Sequence, residues 1–295
     1  MDKKRNPKLI ILIGVIFVSF GSIFTRMSSA PSLIIATYRL GFSSIILLPW
    51  ILIKNFDEIR EISKKILLIC IISGIFLALH FLTWMESIRY TSIASSTVLV
   101  NTHPIFILIG SFLILKERVS RKAVVSIIVA LIGSTVISLG NSSLGSSVLY
   151  GDLLAVIGGL CMAGYIMIGR VARKELSVNS YTFIVYSSCT LTLLSLSLIT
   201  NTSLYPYPMA DWLTFLALSI FCTILGHSIF NWALGYLSPA FVSTAVLGEP
   251  VFATIWAMII FKEIATPWQI LGGLIILSGI YSFIRIHEDA KDTSG

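Results

Sequence analysis

Ten stretches of about 20 residues carry almost nothing but apolar side chains, and short polar segments punctuate them. They run over 8–28, 33–54, 66–87, 93–115, 121–140, 150–171, 178–200, 211–234, 239–261 and 267–286. A helix rises about 1.5 Å per residue, so roughly 20 apolar residues cross a hydrocarbon layer about 30 Å thick. The pattern predicts an all-α polytopic membrane protein with ten transmembrane helices and no room between them for a soluble domain. Composition agrees: 56% of the chain is hydrophobic, 12% is charged and the mean hydropathy is +0.93. Soluble domains carry about a quarter charged residues. The first run follows MDKKRNPK and has no small-residue cleavage site behind it, so it reads as a retained helix rather than a signal peptide.

Charge placement sets an expected orientation. With the N-terminus inside, all of the 21 lysines and arginines fall on the cytoplasmic side except Arg26, Arg89 and Lys262 near outer ends and Arg39 within the second span. The segments GNSSLGSSVLYG and TNTSLYPYPMAD contain neither residue, as external loops should. Both termini are then cytoplasmic and the protein belongs in the plasma (inner) membrane. The net charge of +7 follows from this topology, so nucleic acid is not an expected partner. Cys70, Cys161, Cys189 and Cys222 all fall inside spans without metal-ligand spacing and read as buried thiols.

The chain repeats itself at an offset of 146. Tyr90 meets Tyr236, Ser92 meets Ser238, Ala94 meets Ala240, Pro104 meets Pro250, Phe106 meets Phe252, Glu117 meets Glu263 and Gly133 meets Gly279. The two copies cover 8–140 and 150–286 and hold five spans each. Five is odd, so the second copy starts on the opposite side from the first. KERVSRK after the fourth span lies inside, and its counterpart KEIATPW after the ninth lies outside. Inverted repeats of this kind build many secondary transporters, with the substrate site near the midplane between them.

The segments ESIRYTSIASSTVLVNTHPIFILIGSFLILKERVSRKAVVSIIVALIGSTVI and WALGYLSPAFVSTAVLGEPVFATIWAMIIFKEIATPWQILGGLIILSGIY share more than isolated matches. Each has a Tyr-x-Ser-x-Ala approach, a proline within the helix, a glutamate closing it and a glycine-rich helix afterwards. In this both resemble the repeat of the EamA family, within the drug/metabolite transporter superfamily. The resemblance spans 9–285 and implies a ten-helix exporter or permease of small metabolites, amino acids among them.

Candidate residues lie where a polar group interrupts an apolar span. Pro104 and Pro250 each delete a backbone N–H and free the carbonyls of Val100 and Val246, so each is expected to bend its helix, for packing or to shape and switch a cavity. Glu249 falls near the midplane, where a carboxylate faces a cavity or a partner: it is a structural carboxyl, or it binds a substrate amine, a proton or both. His103 occupies the matching position in the fourth span, so it either hydrogen-bonds a neighbour or faces Glu249 across the cavity and binds a carboxylate or titrates. His80 and Trp84 share a helical face, as do His227 and Asn231, for clasping a solute or for interhelical hydrogen bonds. Arg39 is expected to snorkel outward or pair with an acid, with substrate contact as the alternative. Asn101 and Tyr165 are weaker candidates of the same kind. Glu117 and Glu263 close their helices at the water boundary.

The glycines of the last span in each copy, including Gly133 and Gly279, suit close packing or self-association into a homodimer. The sequence holds no P-loop, Rossmann glycine pattern, HExxH or GxSxG, and no cofactor is called for. The expected function is a secondary transporter of a small-molecule substrate through the lipid bilayer, by alternating access around a central cavity. A non-transporting scaffold or sensor, or an intramembrane enzyme, are the competing classes.

Overall fold

The computed structural model describes residues 7–91, 93–116, 119–139, 146–262 and 264–292; these are all-helical, with no strand among them. In chain order the helices are α1 (Pro7–Met27), α2 (Ser32–Lys54) and α3 (Lys64–Ser87). Next come α4, in the pieces Ile93–Val100 and His103–Gly110 with a π-helical turn Ser111–Leu115, and α5 (Arg121–Leu139). They are followed by α6 (Ser146–Ala172), α7 (Val178–Ile199), α8 (Met209–Ala233), α9 (Pro239–Phe261) and α10 (Pro267–Asp292). A one-turn helix, Phe56–Arg60, joins α2 to α3. Among the described residues, eight helices are long and apolar enough to cross a membrane: α1, α2, α3, α6, α7, α8, α9 and α10. The chain is an integral, multi-pass membrane protein.

Its packing inverts that of a soluble domain. Ile53, Ile114, Leu198 and Leu274 are well exposed, whereas Arg39, His103, Asn231 and Thr223 are buried. Lipid accepts apolar side chains anywhere but offers polar atoms no partner, so polar groups turn toward one another inside. All four cysteines are buried and free. Helix bounds follow the apolar runs closely, with departures beyond the pieces of α4 and the break in α9 at Leu247–Gly248. α1 is interrupted at Ser19, α8 is π-helical over Leu218–His227, and α10 continues past its apolar stretch to Asp292.

α5 and α10 pack most closely. A Cβ on Gly133 would lie 2.7 Å from both the Gly272 carbonyl oxygen and the Ile276 nitrogen; one on Gly279 would lie 2.8 Å from the Ser126 carbonyl oxygen and 2.7 Å from the Ala130 nitrogen. These contacts are reciprocal, since Gly272, Ile276 and Gly279 stand 146 residues after Ser126, Ala130 and Gly133. The glycine faces expected to serve packing or self-association are thus occupied by contact within the chain. The same offset relates Lys116 and Lys262, which end α4 and α9 in left-handed conformation at φ 55° and 56°. Glu117, Glu263 and Ser92 lie outside the described residues.

Two carboxylates tie the N-terminal and C-terminal halves together at opposite ends of the bundle. Asp211, opening α8, accepts hydrogen bonds from Ser28 Oγ (2.8 Å), Ser29 N (2.9 Å) and Ser29 Oγ (2.7 Å) in the α1–α2 turn. Glu58, between α2 and α3, accepts from Asn55 Nδ2 and from Ser177 N, Ser177 Oγ and Ser180 Oγ where α7 begins. Burial alone raises the Glu58 carboxyl, but the donors from Ser177, Ser180 and Asn55 outweigh it and hold the group below its ordinary range.

Two predictions follow from these contacts. Gly133→Ala is expected to cost about 1–3 kcal/mol by forcing α5 from α10. Gly273→Ala, whose Cβ would meet only Val251 Cγ2 at 3.8 Å, is expected to be near neutral, and melting in detergent compares the two. The Glu58 tie is complete above the ordinary glutamate pKa of about 4.3 and is lost as pH falls through the lower folded value. Acid melting curves of the wild type should therefore fall more steeply in that range than those of Glu58→Gln.

Candidate functional site

Two interrupted helices meet at the centre. α4 stops at Val100, turns at Asn101–Thr102 and restarts with His103-Pro104; α9 stops at Val246, turns at Leu247–Gly248 and restarts with Glu249-Pro250. Each proline is the second residue of its restarted piece and has no N–H to give the carbonyl four residues back, which leaves Val100 and Val246 without their helical donors. Thr102 and Gly248, just before the restarts, keep right-handed helical backbone angles, so each helix is interrupted in its hydrogen bonding at its X-Pro pair. Gly159 of α6 presses on the first break: a Cβ there would lie 2.8 Å from the Val100 carbonyl oxygen.

Both restarts line one small cavity, with about 40 Å³ of free volume. The N-terminal half contributes Arg39, His80, Phe81, Trp84, Asn101 and His103, and the C-terminal half Met162, His227, Phe230 and Glu249. Sequence-predicted residues from five helices are thus brought together.

Arg39 neither snorkels nor pairs with an acid. It is 1% exposed in α2, with Nε donating to Thr223 Oγ1 of α8 at 2.9 Å and the guanidinium 4.4 Å from the centre of the Phe81 ring. The hydroxyl and the ring face of neighbouring helices hold the cation in place. No ion pair joins it to Glu249, the half-buried carboxylate lining the same cavity.

The histidines are oriented by backbone carbonyls. His103 Nδ1 lies 3.2 Å from the Val100 oxygen, the carbonyl that Pro104 deprives of its helical donor. A carbonyl only accepts, so Nδ1 carries the proton and Nε2 is an acceptor, without a partner among the described residues. His80 Nδ1 donates in the same way to Gly158 O at 3.0 Å, and its ring lies parallel to Trp84 at 6.1 Å. His227 packs edge-on to Phe81 and Phe230. Trp84 Nε1 and Asn101 Nδ2 are buried donors without an acceptor among the described residues. This arrangement can hold a small solute through donors, acceptors, ring faces and two separated charges. No group of His, Cys, Asp and Glu among the described residues has metal-holding geometry.

Asn231 and Tyr165 stand outside the cavity lining. Tyr165 Oη donates to Asn231 Oδ1 at 2.8 Å, Asn231 Nδ2 donates to Tyr186 Oη at 3.3 Å, and Tyr186 Oη lies 3.0 Å from Ser228 Oγ. This network ties α6, α7 and α8 beside the site, so Asn231 does not line the cavity as His227 does.

Reading the sequence alone missed Phe81, Thr223, Met162 and Phe230. Two of them had a signal: Phe81 is the 146-offset counterpart of His227, and Thr223 sits one turn before His227 on the same face. Met162 and Phe230 had none, because an apolar residue in an apolar helix is indistinguishable from its lipid-facing neighbours.

The sequence pattern of the EamA-like transporter family matches residues 7–139 and again 149–285. The pseudopaline exporter CntI of Pseudomonas aeruginosa is 24% identical over 289 residues, covering 97% of this chain and 98% of the exporter. An uncharacterized transporter of Archaeoglobus fulgidus is 23% identical over 290 residues, covering 95% and 97%. The uncharacterized transporter YyaM of Bacillus subtilis is 26% identical over 258 residues, covering 83% and 82%. A solved crystal structure superposes with a TM-score of 0.76 at 15% identity over 94% of this chain and 98% of that one, a likeness of fold.

Tyr165→Phe is expected to leave the Asn231 amide oxygen without its donor and to cost about 1–3 kcal/mol. The melting temperature in detergent should fall while the KM for a transported solute holds. A changed KM at unchanged melting temperature would place Tyr165 in the site instead.

Proposed function

Because the chain belongs to the EamA-like transporter family, we propose that it is a secondary transporter exporting a small organic metabolite by alternating access around the central cavity. One observation carries this reading: the cavity lies between the halves, its polar groups come from both, and a carboxylate and a guanidinium face it without pairing. A scaffold has no use for separated charges held away from water, since such groups are costly inside a membrane. The family and the named relatives are transporters, and the Pseudomonas aeruginosa relative is named an exporter, which supports the outward direction.

The architecture we propose is ten transmembrane helices in two inverted five-helix repeats, 8–140 and 150–286, with both termini cytoplasmic. Supporting it are the doubled family match, the paired breaks at His103-Pro104 and Glu249-Pro250, and the reciprocal glycine contacts of α5 and α10. In this reading Glu249 binds a proton or a cargo group, because it is the acid lining the cavity. The breaks in α4 and α9 let one half of each helix tilt without unwinding the other. The Asp211 and Glu58 ties, at opposite ends, open alternately.

Reconstitution into proteoliposomes provides the test. Saturable flux is expected for at least one solute of a broad metabolite panel, with Glu249→Gln reducing it to background while expression and melting hold. No saturable flux for any solute, with or without a proton gradient, would refute transport; full gradient-driven flux in the Gln variant would refute the role of Glu249.

A further inference from the structure

The guanidinium of Arg39 is a fixed positive charge whose binding capacity is mostly unused. Nε is engaged by Thr223, but neither Nη atom donates a hydrogen bond among the described residues, and Nη2 is completely enclosed. A guanidinium presents its donors as a planar fork that fits a carboxylate with two parallel bonds. A buried charge without a counter-ion in contact is unfavourable, and Glu249, which lines the same cavity, acts on Arg39 only at a distance, with no ion pair between them. Around Arg39 the other unmet polar groups include two more donors, Trp84 Nε1 and Asn101 Nδ2, on residues that line the same cavity. The helix half starting at His103 adds its positive N-terminal end and has no acidic residue in its first turn, whereas the half starting at Glu249 has one.

Resting on the transport reading, we propose that the cargo carries a carboxylate received by Arg39, with an apolar or aromatic body held among Phe81, Trp84 and Phe230. The cargo then brings the contacting counter-ion that Glu249, acting only at a distance, does not provide. Thr223 is the positioning residue, since its hydroxyl fixes Nε and leaves the Nη atoms without a protein acceptor among the described residues. Organic cations and neutral solutes do not satisfy the site, because they leave Arg39 unpaired.

The test uses full-length protein in detergent and matched sets of carboxylate, primary amide and amine. Each set is built on phenyl, indolyl and straight-chain bodies, with and without an α-amino group. Binding is read by titration calorimetry and tryptophan fluorescence, and flux in proteoliposomes. In at least one set the carboxylate is expected to bind about tenfold or more tighter than its amide. Arg39→Gln should erase that preference with elution profile and melting retained, and Arg39→Lys should keep part of it. If Arg39→Gln does not fold, Thr223→Val replaces it, with a several-fold weaker preference expected. The proposal is overturned if amide or amine binds as well as carboxylate, if no carboxylate binds, or if the preference survives in the variant used. Saturable flux of amides or amines but not carboxylates would sink this proposal and leave transport standing; no flux at all would sink the transport reading itself.

Discussion

Hydrocarbon offers no partner to a backbone N–H or C=O, so every departure from regular helix must be enclosed by protein or line a polar cavity. That constraint explains where this chain is irregular. α1 breaks at Ser19, whose hydroxyl donates to Ile16 O at 2.6 Å and accepts from Trp256 Nε1 of α9 at 2.9 Å. α4 breaks before His103, and the imidazole itself serves the carbonyl orphaned by Pro104. α9 breaks before Glu249, and α8 widens to a π-helix over the turns that hold Thr223 and His227. These four irregularities surround the same cavity, whereas the π-helical turn Ser111–Leu115 ends α4 with Phe112, Leu113 and Ile114 exposed.

The cavity follows from those breaks. Restarting a helix in mid-membrane brings a helix N-terminus, with its positive partial charge, to the protein centre. Glu249 complements that end directly, since it is the first residue of its own half-helix. His103 occupies the matching place without a charge to offer; its protonated nitrogen is turned back to the backbone. The charged partner that sequence symmetry would seek in His103 is supplied instead by Arg39, held by Thr223 and Phe81 from neighbouring helices. The two X-Pro breaks thus share a backbone pattern, and the different residue before each proline makes the two sides of the site unequal.

The halves meet through contacts of different strength. Along α5 and α10 the glycines let backbones touch, which makes a close, shape-dependent seam. At the two ends, Asp211 and Glu58 hold serine clusters of the opposite half through hydrogen bonds that water can replace. The halves are thus joined by a tight seam on one side and by exchangeable ties at both ends.

Apolar runs, lysine and arginine placement and the 146-residue repeat determined the membrane class, the helix positions and the two X-Pro sites, because each depends on properties summed along one segment. They also located Glu249, His103, His80, Trp84, His227, Arg39 and Asn101 as polar exceptions within those runs. What they left open was which side chains face each other. Asn231 and Tyr165 have the same chemistry as true lining residues, yet they satisfy one another beside the cavity. Arg39 had an easy exit to water by snorkelling, yet a threonine 184 positions away and a phenylalanine ring hold it inside. Tertiary structure decided these points, because a polar group in a membrane takes whichever partner packing brings within about 3 Å, and packing joins residues that the chain keeps far apart.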